Sequence, residues 1–208
     1  MDVVDYPLLN KSNASFSDLN GRVTFTPDSK NSLELSGYYS SDAFRLNSDT
    51  AYSYTNTIGS FTWNRKLNRG ASLTLSASTS IYNYSVGSTA VAGKAFDLDY
   101  RIRHSGLRAD ITIPVGEIHQ LNAGIETAFY DVMPGRFTPA GSSSLVMPRM
   151  TESERALENA LYAEDRMTLS ESVSLSLGLR YSAFSAIGPN TMNLYEEGLP
   201  MSQATVYD

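Results

Sequence analysis

The stretch SVSLSLGLRYSAF, Ser172 to Phe184, decides the fold. Val173, Leu175, Leu177, Leu179, Tyr181 and Ala183 take every second position, and Ser174, Ser176, Gly178, Arg180 and Ser182 stand between them. A period of two places one class on each face of a β-strand, whereas a helix mixes the two classes on one side. The same pattern recurs along the chain. Leu19–Pro27 sets Leu19, Val23 and Phe25 against Arg22, Thr24 and Thr26. Leu33, Leu35, Gly37 and Tyr39 oppose Ser32, Glu34, Ser36 and Tyr38 in a second strand. A third, Ala51–Asn64, is aromatic at both ends and blurred in phase between, which predicts a bulge. Ala71–Tyr82, Leu107–Ile113 and Gln120–Phe129 follow with clear alternation.

Ala156–Thr168 reads two ways. Thr151-Glu152-Ser153-Glu154 fits a capping box and ALENALYAEDRM is rich in helix formers. As a strand it sets Leu157, Leu161, Ala163 and Met167 against Glu158, Tyr162, Glu164 and Arg166. Strand is the expectation, because both neighbouring strands need a partner between them.

Composition narrows the classes. The chain has 208 residues, 41% of them hydrophobic and 18% charged, with 13 Tyr, 8 Phe and no Cys. Low charge with many aromatics argues against disorder. A net charge of −6 and a pI near 4.9, with no basic stretch, argue against nucleic acid as a partner. A mean hydropathy of −0.24 and the lack of an 18-residue apolar run exclude a membrane helix. They do not exclude a transmembrane β-barrel, whose strands alternate. Met1–Asn10 lacks the basic and apolar regions of a secretory signal, so the expectation is a cytoplasmic protein or a piece of a longer chain.

Spacing favours the barrel. Connections alternate short and long: short after Pro27, Asn64, Ile113 and Thr168, long after Ser40, Tyr84, Tyr130 and Phe184. Residues 1–18, 41–50, 85–93 and 131–155 read as loop. Outer-membrane barrels alternate in this way, with tight periplasmic turns and long extracellular loops. Tyr38, Tyr39, Tyr52, Tyr54, Tyr82, Tyr84, Phe129, Tyr130, Tyr181 and Phe184 flank the long loops, where an aromatic girdle is expected. Arg22, Glu34, Arg108, Asp110, Glu126 and Arg180 all fall on the polar faces. A lumen tolerates them, while an Arg facing lipid at mid-depth costs about 2–4 kcal/mol. The competing reading, a soluble β-sandwich binding module, alternates too but predicts neither loop parity nor girdles. By the same parity both termini are extracellular. The expectation is therefore an internal segment, about eight antiparallel up-and-down strands of a larger transmembrane barrel.

NSLELSGYYSSDAFRLNSDTAYSYTNTIGSFTWNRKL, GLRADITIPVGEIHQLNAGIETAFYDVMPG and ALENALYAEDRMTLSESVSLSLGLRYSAFSAIGP together resemble the barrel of TonB-dependent receptors, in particular the Bacteroidota type. The resemblance runs from about Ser15 to Pro189. It implies an all-β barrel of about 22 strands with a plugged lumen in the outer membrane of a Gram-negative bacterium. It also implies active nutrient uptake driven by the TonB–ExbB–ExbD system, with outer-membrane lipid around the wall. No signal sequence, TonB box, plug domain or closing strand is legible, so residues 1–208 are expected to be partial barrel, and TonB contact falls to other parts of the receptor. The cargo, whether iron chelate, glycan, peptide or vitamin, is not carried over.

No catalytic constellation competes. His104 and His119 are the only histidines, and no ligand-spaced cluster accompanies them, so neither metal nor cofactor is expected. Glu152, Glu154, Glu158, Glu164 and Asp165 read as loop and lumen charges rather than an acid/base pair. Gly141–Leu145, GSSSL, lacks the G-x-S-x-G elbow, and no enzyme is expected. Arg136, Phe137 and Arg149, with Met150, lie in the longest expected loop and are the candidates for ligand contact.

Overall fold

Nine antiparallel strands form one sheet, and the computed structural model describes residues 12–45, 50–188 and 198. In chain order they are β1 (Asn13–Phe25), β2 (Asn31–Arg45), β3 (Thr50–Lys66), β4 (Ser72–Ser88), β5 (Phe96–Val115), β6 (His119–Pro139), β7 (Arg149–Met150), β8 (Glu154–Ser170) and β9 (Val173–Ala186). The order in space is β1-β2-β3-β4-β5-β6-β8-β9, with two-residue β7 also paired to β6. Each long strand therefore pairs with its chain neighbour, as in an up-and-down barrel wall. No α-helix occurs among the described residues, only short 3-10 turns at Asn68–Gly70 and Ala92–Lys94.

Residues paired across an antiparallel ladder share a face, so the registers fix which side each side chain takes. The row Val23–Leu35–Phe61–Ala77–Leu107–Thr127 runs along one face. The row Arg22–Ser36–Ser60–Ser78–Gly106–Ala128–Glu158 runs along the other. The apolar face has no cover: Leu35 is 61% exposed, Leu107 60%, Leu177 60% and Leu179 86%. Left in water, each such side chain forgoes about 1.5–3 kcal/mol. A sandwich would bury this face against a second sheet, and no second sheet is present among the described residues. Among the described residues the sheet has no packed core, and no side chain is fully buried.

Ala156–Thr168 is strand, inside β8, bonded to β6 on one side and β9 on the other. Two ladders outweigh the helix propensity of ALENALYAEDRM. Other expected boundaries shift. β1 begins at Asn13 rather than Leu19, and residues 1–11 lie outside the described part. The expected connections at 41–50 and 85–93 are partly strand, since β2 runs to Arg45, β3 starts at Thr50 and β4 runs to Ser88; residues 46–49 lie outside the described part. The long connection expected after Phe184 begins later, since β9 runs to Ala186, and its residues 189–197 and 199–208 lie outside the described part. Residues 131–139 belong to β6 rather than to a loop. β5 and β6 have 20 and 21 residues, where crossing a bilayer takes about 9–11. The surplus lies at the long-connection end, where the alternation of β5 inverts: Asp97, Asp99, Arg101 and Arg103 take the register of the apolar face, and Leu98, Tyr100 and Ile102 take the other.

The expected bulge in the third strand is absent, because β3 pairs in unbroken register with β2 and β4. Its aromatic ends face opposite ways: Tyr52 and Tyr54 share a parity, Phe61 and Trp63 the other. The register shift lies instead opposite Asp99 and Arg101, whose partners are Arg136 and Met133. The extra residue on β6 falls at Pro134–Gly135, and a bulge tolerates a proline that cannot donate to a ladder.

The short β1–β2 connection, Asp28-Ser29-Lys30-Asn31, is held by the side chain that opens it. The Asp28 carboxylate accepts the Lys30 amide at 2.7 Å, the Asn31 amide at 2.9 Å and the Asn31 side-chain amide at 2.8 Å. The Asn31 side chain first, and then the Lys30 amide, hold its pKa below the ordinary aspartate value. A depressed carboxylate pKa stabilises the fold above the unfolded value, and that contribution is lost as pH falls through the folded one. The protection factors of the Lys30 and Asn31 amides, taken from hydrogen exchange after division by the intrinsic rate, should therefore fall on acidification into that range, and Asp28→Ala should abolish that fall.

Candidate functional site

The polar face carries two tiers of side-chain structure. In the lower tier the six charges expected there pair off. Arg22 meets Glu34 at 3.4 Å, Arg108 grips Asp110 through Nε at 2.7 Å and Nη2 at 3.0 Å, and Arg180 reaches Glu126 at 3.2 Å. Tyr162 binds the last two pairs together. Its ring lies beneath the Arg108 guanidinium, 5.3 Å from the centroid, and the Arg180 guanidinium, 5.4 Å away. Its hydroxyl donates to Asp110. The ring crosses β6 over Gly124, where an added Cβ would collide with the Tyr162 hydroxyl. Ser36 and Ser60, 2.7 Å apart, and Thr112 donating to Asn122 at 2.9 Å complete the wall.

The upper tier is aromatic. Phe44 stacks on Tyr52 at 4.8 Å, and Tyr54 stacks on Tyr84 at 4.8 Å; Tyr84 continues to Tyr100 at 5.6 Å. Phe44 lies 6.0 Å from Tyr54, which joins these rings into one ribbon across β2, β3, β4 and β5. Beyond it His104 packs on Tyr130 at 4.9 Å, and Phe96 on Phe137 at 5.1 Å. This corrects the expected girdle. Tyr38, Tyr52, Tyr54, Tyr82, Tyr84, Tyr130 and Phe184 fall on the polar face by register, leaving Tyr39, Phe129 and Tyr181 on the apolar one. Proximity to a loop does not fix a side; parity does. The opposite rim does carry outward aromatics, with Trp63 donating to Asn31 at 3.0 Å beneath the Arg65 guanidinium.

The three ligand candidates divide. The bulge turns β6 over by one residue, so Arg136 takes the apolar side, bonded to Asp99 at 3.2 Å, and Phe137 takes the polar side. Arg149, on β7, pairs opposite Phe137 and shares its face. All three stand in strands rather than in a loop. Asp165, expected among lumen and loop charges, lies instead on the apolar side at the short-turn rim, bonded to His119 at 2.8 Å. Glu158 and Glu164 do face the polar side. No group of three or more metal-ligating side chains occurs among the described residues.

A family model described as "TonB dependent receptor-like, beta-barrel" matches residues 4–197. Among solved structures, the chain is similar to the ferric preacinetobactin receptor BauA of Acinetobacter baumannii, with a TM-score of 0.70 and 11% identity over 89% of this chain and 36% of that one. It is similar to the copper transporter OprC, with a TM-score of 0.68 and 12% identity over 94% of this chain and 32% of that one. The outer-membrane ferripyoverdine receptor of Pseudomonas aeruginosa gives a TM-score of 0.65 at 12% identity, over 88% of this chain and 32% of that one. At these identities the likeness is one of fold. The chain spans about a third of the length of each of these structures. No curated protein matches it.

Gly124→Ala should displace Tyr162 and destabilise the folded barrel by about 1–2 kcal/mol, the worth of the hydrogen bond and stacking it breaks. In a Tyr162→Ala background the same change should cost little. Additive losses in a double-mutant cycle, read from urea unfolding, would show that the two residues do not act together.

Proposed function

Because this chain belongs to the TonB-dependent receptor-like β-barrel family, we propose that it forms barrel wall and extracellular strand extensions of an outer-membrane receptor for active nutrient uptake. The observation that carries the reading is the division of one sheet into an uncovered apolar face and a polar face whose charges pair with each other. Lipid supplies the missing cover for the first, and a watery, partly filled lumen suits the second. The family and the solved neighbours belong to the outer membrane of Gram-negative bacteria, and they are transport receptors rather than enzymes.

In this proposal residues 1–208 are wall of a barrel of about 22 strands. The plug, the TonB box and the barrel closure belong to other parts of the receptor, and the TonB–ExbB–ExbD system supplies the energy through them. The order of the phrases quoted above supports the Bacteroidota type. The cargo is a small nutrient of the class iron chelate, glycan, peptide or vitamin; the named neighbours take ferric chelates or copper. Phe137 and Arg149 contact it at the mouth, where the aromatic ribbon lines the same face. Arg136, on the other side, holds the strand extension through Asp99.

The reading is tested in the full-length receptor by introducing one arginine at a time. Leu107→Arg points a charge at lipid and should cost about 2–4 kcal/mol, cutting the folded outer-membrane population roughly tenfold or more. Ser78→Arg, on the polar face, should leave that population within about twofold of the parent. Leu107 is a cleaner probe than Leu177, which pairs opposite Asp165 and would offer an introduced arginine a partner. Equal levels of the two variants, measured by heat-modifiable mobility in outer-membrane fractions, would refute the orientation.

A further inference from the structure

At the long-connection edge of the apolar face the ladder sets Arg103 opposite Asp131 and Asp131 opposite Arg155, with Arg101 two residues farther along β5. All lie on the apolar side by register, yet none of the three guanidiniums has a hydrogen bond, ion pair or ring contact among the described residues. The remaining arginines on β5, β6 and β9 are all engaged: Arg108 by Asp110, Arg136 by Asp99 and Arg180 by Glu126. Asp131 is the one carboxylate facing the trio directly, because Asp99 above it is already held by Arg136.

Directly below these arginines is a groove of about 470 Å³ on the same face. Gly59, Ala77 and Ser105 keep its floor low, and Leu107, Phe129 and Leu157 wall it. Ser105, Phe129 and Leu157 at its upper end stand two residues before Arg103, Asp131 and Arg155 along the outward course of their strands. An acyl-sized apolar channel therefore opens under unpaired cations that carry a net positive charge. We propose that this edge binds a phosphorylated lipid of the outer leaflet, with an acyl chain in the groove and the phosphate held by Arg103 and Arg155, assisted by Arg101. Guanidinium forks suit phosphate because they offer parallel N–H donors to its oxygens. The Asp131 carboxylate, with a shorter side chain than its neighbours, opposes the same anion, so its removal strengthens the site.

This inference rests on the outer-membrane reading above. The test uses the full-length receptor that contains this chain, extracted from outer membranes and confirmed as a heat-modifiable barrel. Native mass spectrometry then follows retention of lipid A and of the same lipid A after dephosphorylation. The parent should retain the phosphorylated form at least tenfold better, and Arg103→Gln/Arg155→Gln should lose about that factor, in line with charge-assisted bonds to one anion. Asp131→Asn should raise retention, which a purely structural role for this edge does not predict. Equal retention of the two lipids, or an unaffected double Gln variant that is folded and in the outer membrane, overturns this site alone. A receptor that never reaches the outer membrane overturns the site together with the reading beneath it.

Discussion

The backbone ladder is the one interaction on which this structure depends. No side chain is fully buried, and no helix or second sheet packs against the strands among the described residues. What holds β1 to β9 together is the continuous set of antiparallel pairings, and those pairings assign every side chain to one of two faces. A slip of one residue in any strand would carry its leucines to the polar side and its charges to the apolar one. Register here plays the part that core packing plays in a water-soluble domain. Because the cover for the apolar face comes from outside, the sequence can spend its hydrophobic residues on a single layer.

That dependence explains what was legible beforehand. Within the apolar belt, alternation such as Leu73, Leu75 and Ala77 or Leu175, Leu177 and Leu179 fixed both strand and face, because one side is apolar and the other polar. The six polar-face charges could be placed from parity alone, and they pair as three ion pairs. Past the belt the contrast vanishes. Ser41, Asp42 and Ala43 look like loop, yet they pair residue by residue with Thr55, Tyr54 and Ser53, since backbone hydrogen bonds need no hydrophobic contrast to continue. The candidate site lies in that stretch, which is why it was the harder part to read. The aromatics were visible as a cluster, but the side they faced was hidden until the register was known.

The bulge at Pro134–Gly135 shows how a local feature places a candidate ligand contact. Without the extra residue, Phe137 would keep the parity of Phe129 and face outward. With it, Phe137 turns to the polar side against Phe96, and Gly135 lies beside the Tyr100 ring, 3.4 Å from where a Cβ would stand. Proline and glycine read as loop punctuation in sequence, yet here they mark a strand that turns over. Composition cannot separate the two cases, because the same residues serve both.

The charged groups sort by a common rule. On the polar face, cations and anions meet within the chain, and Tyr162 lies between two such pairs, which suits a wall that must stay open and ordered without a core behind it. On the apolar side, charge appears only at the edges: His119 with Asp165 and Arg65 over Trp63 at the short-turn rim, then Arg45, Asp97, the Arg136–Asp99 pair, and Arg101, Arg103 and Arg155 with Asp131 at the other. Between these edges the outward face is uncharged along Leu35, Phe61, Ala77, Leu107 and Thr127, the depth where an unpaired charge is most costly. The short-turn rim pairs His119 with Asp165 and sets Arg65 over Trp63, whereas the long-connection rim leaves the guanidiniums of Arg45, Arg101, Arg103 and Arg155 open. Under the proposed outer-membrane reading, a bilayer with phosphate on its outer surface resolves that difference, because it brings anions to guanidiniums that no carboxylate among the described residues engages.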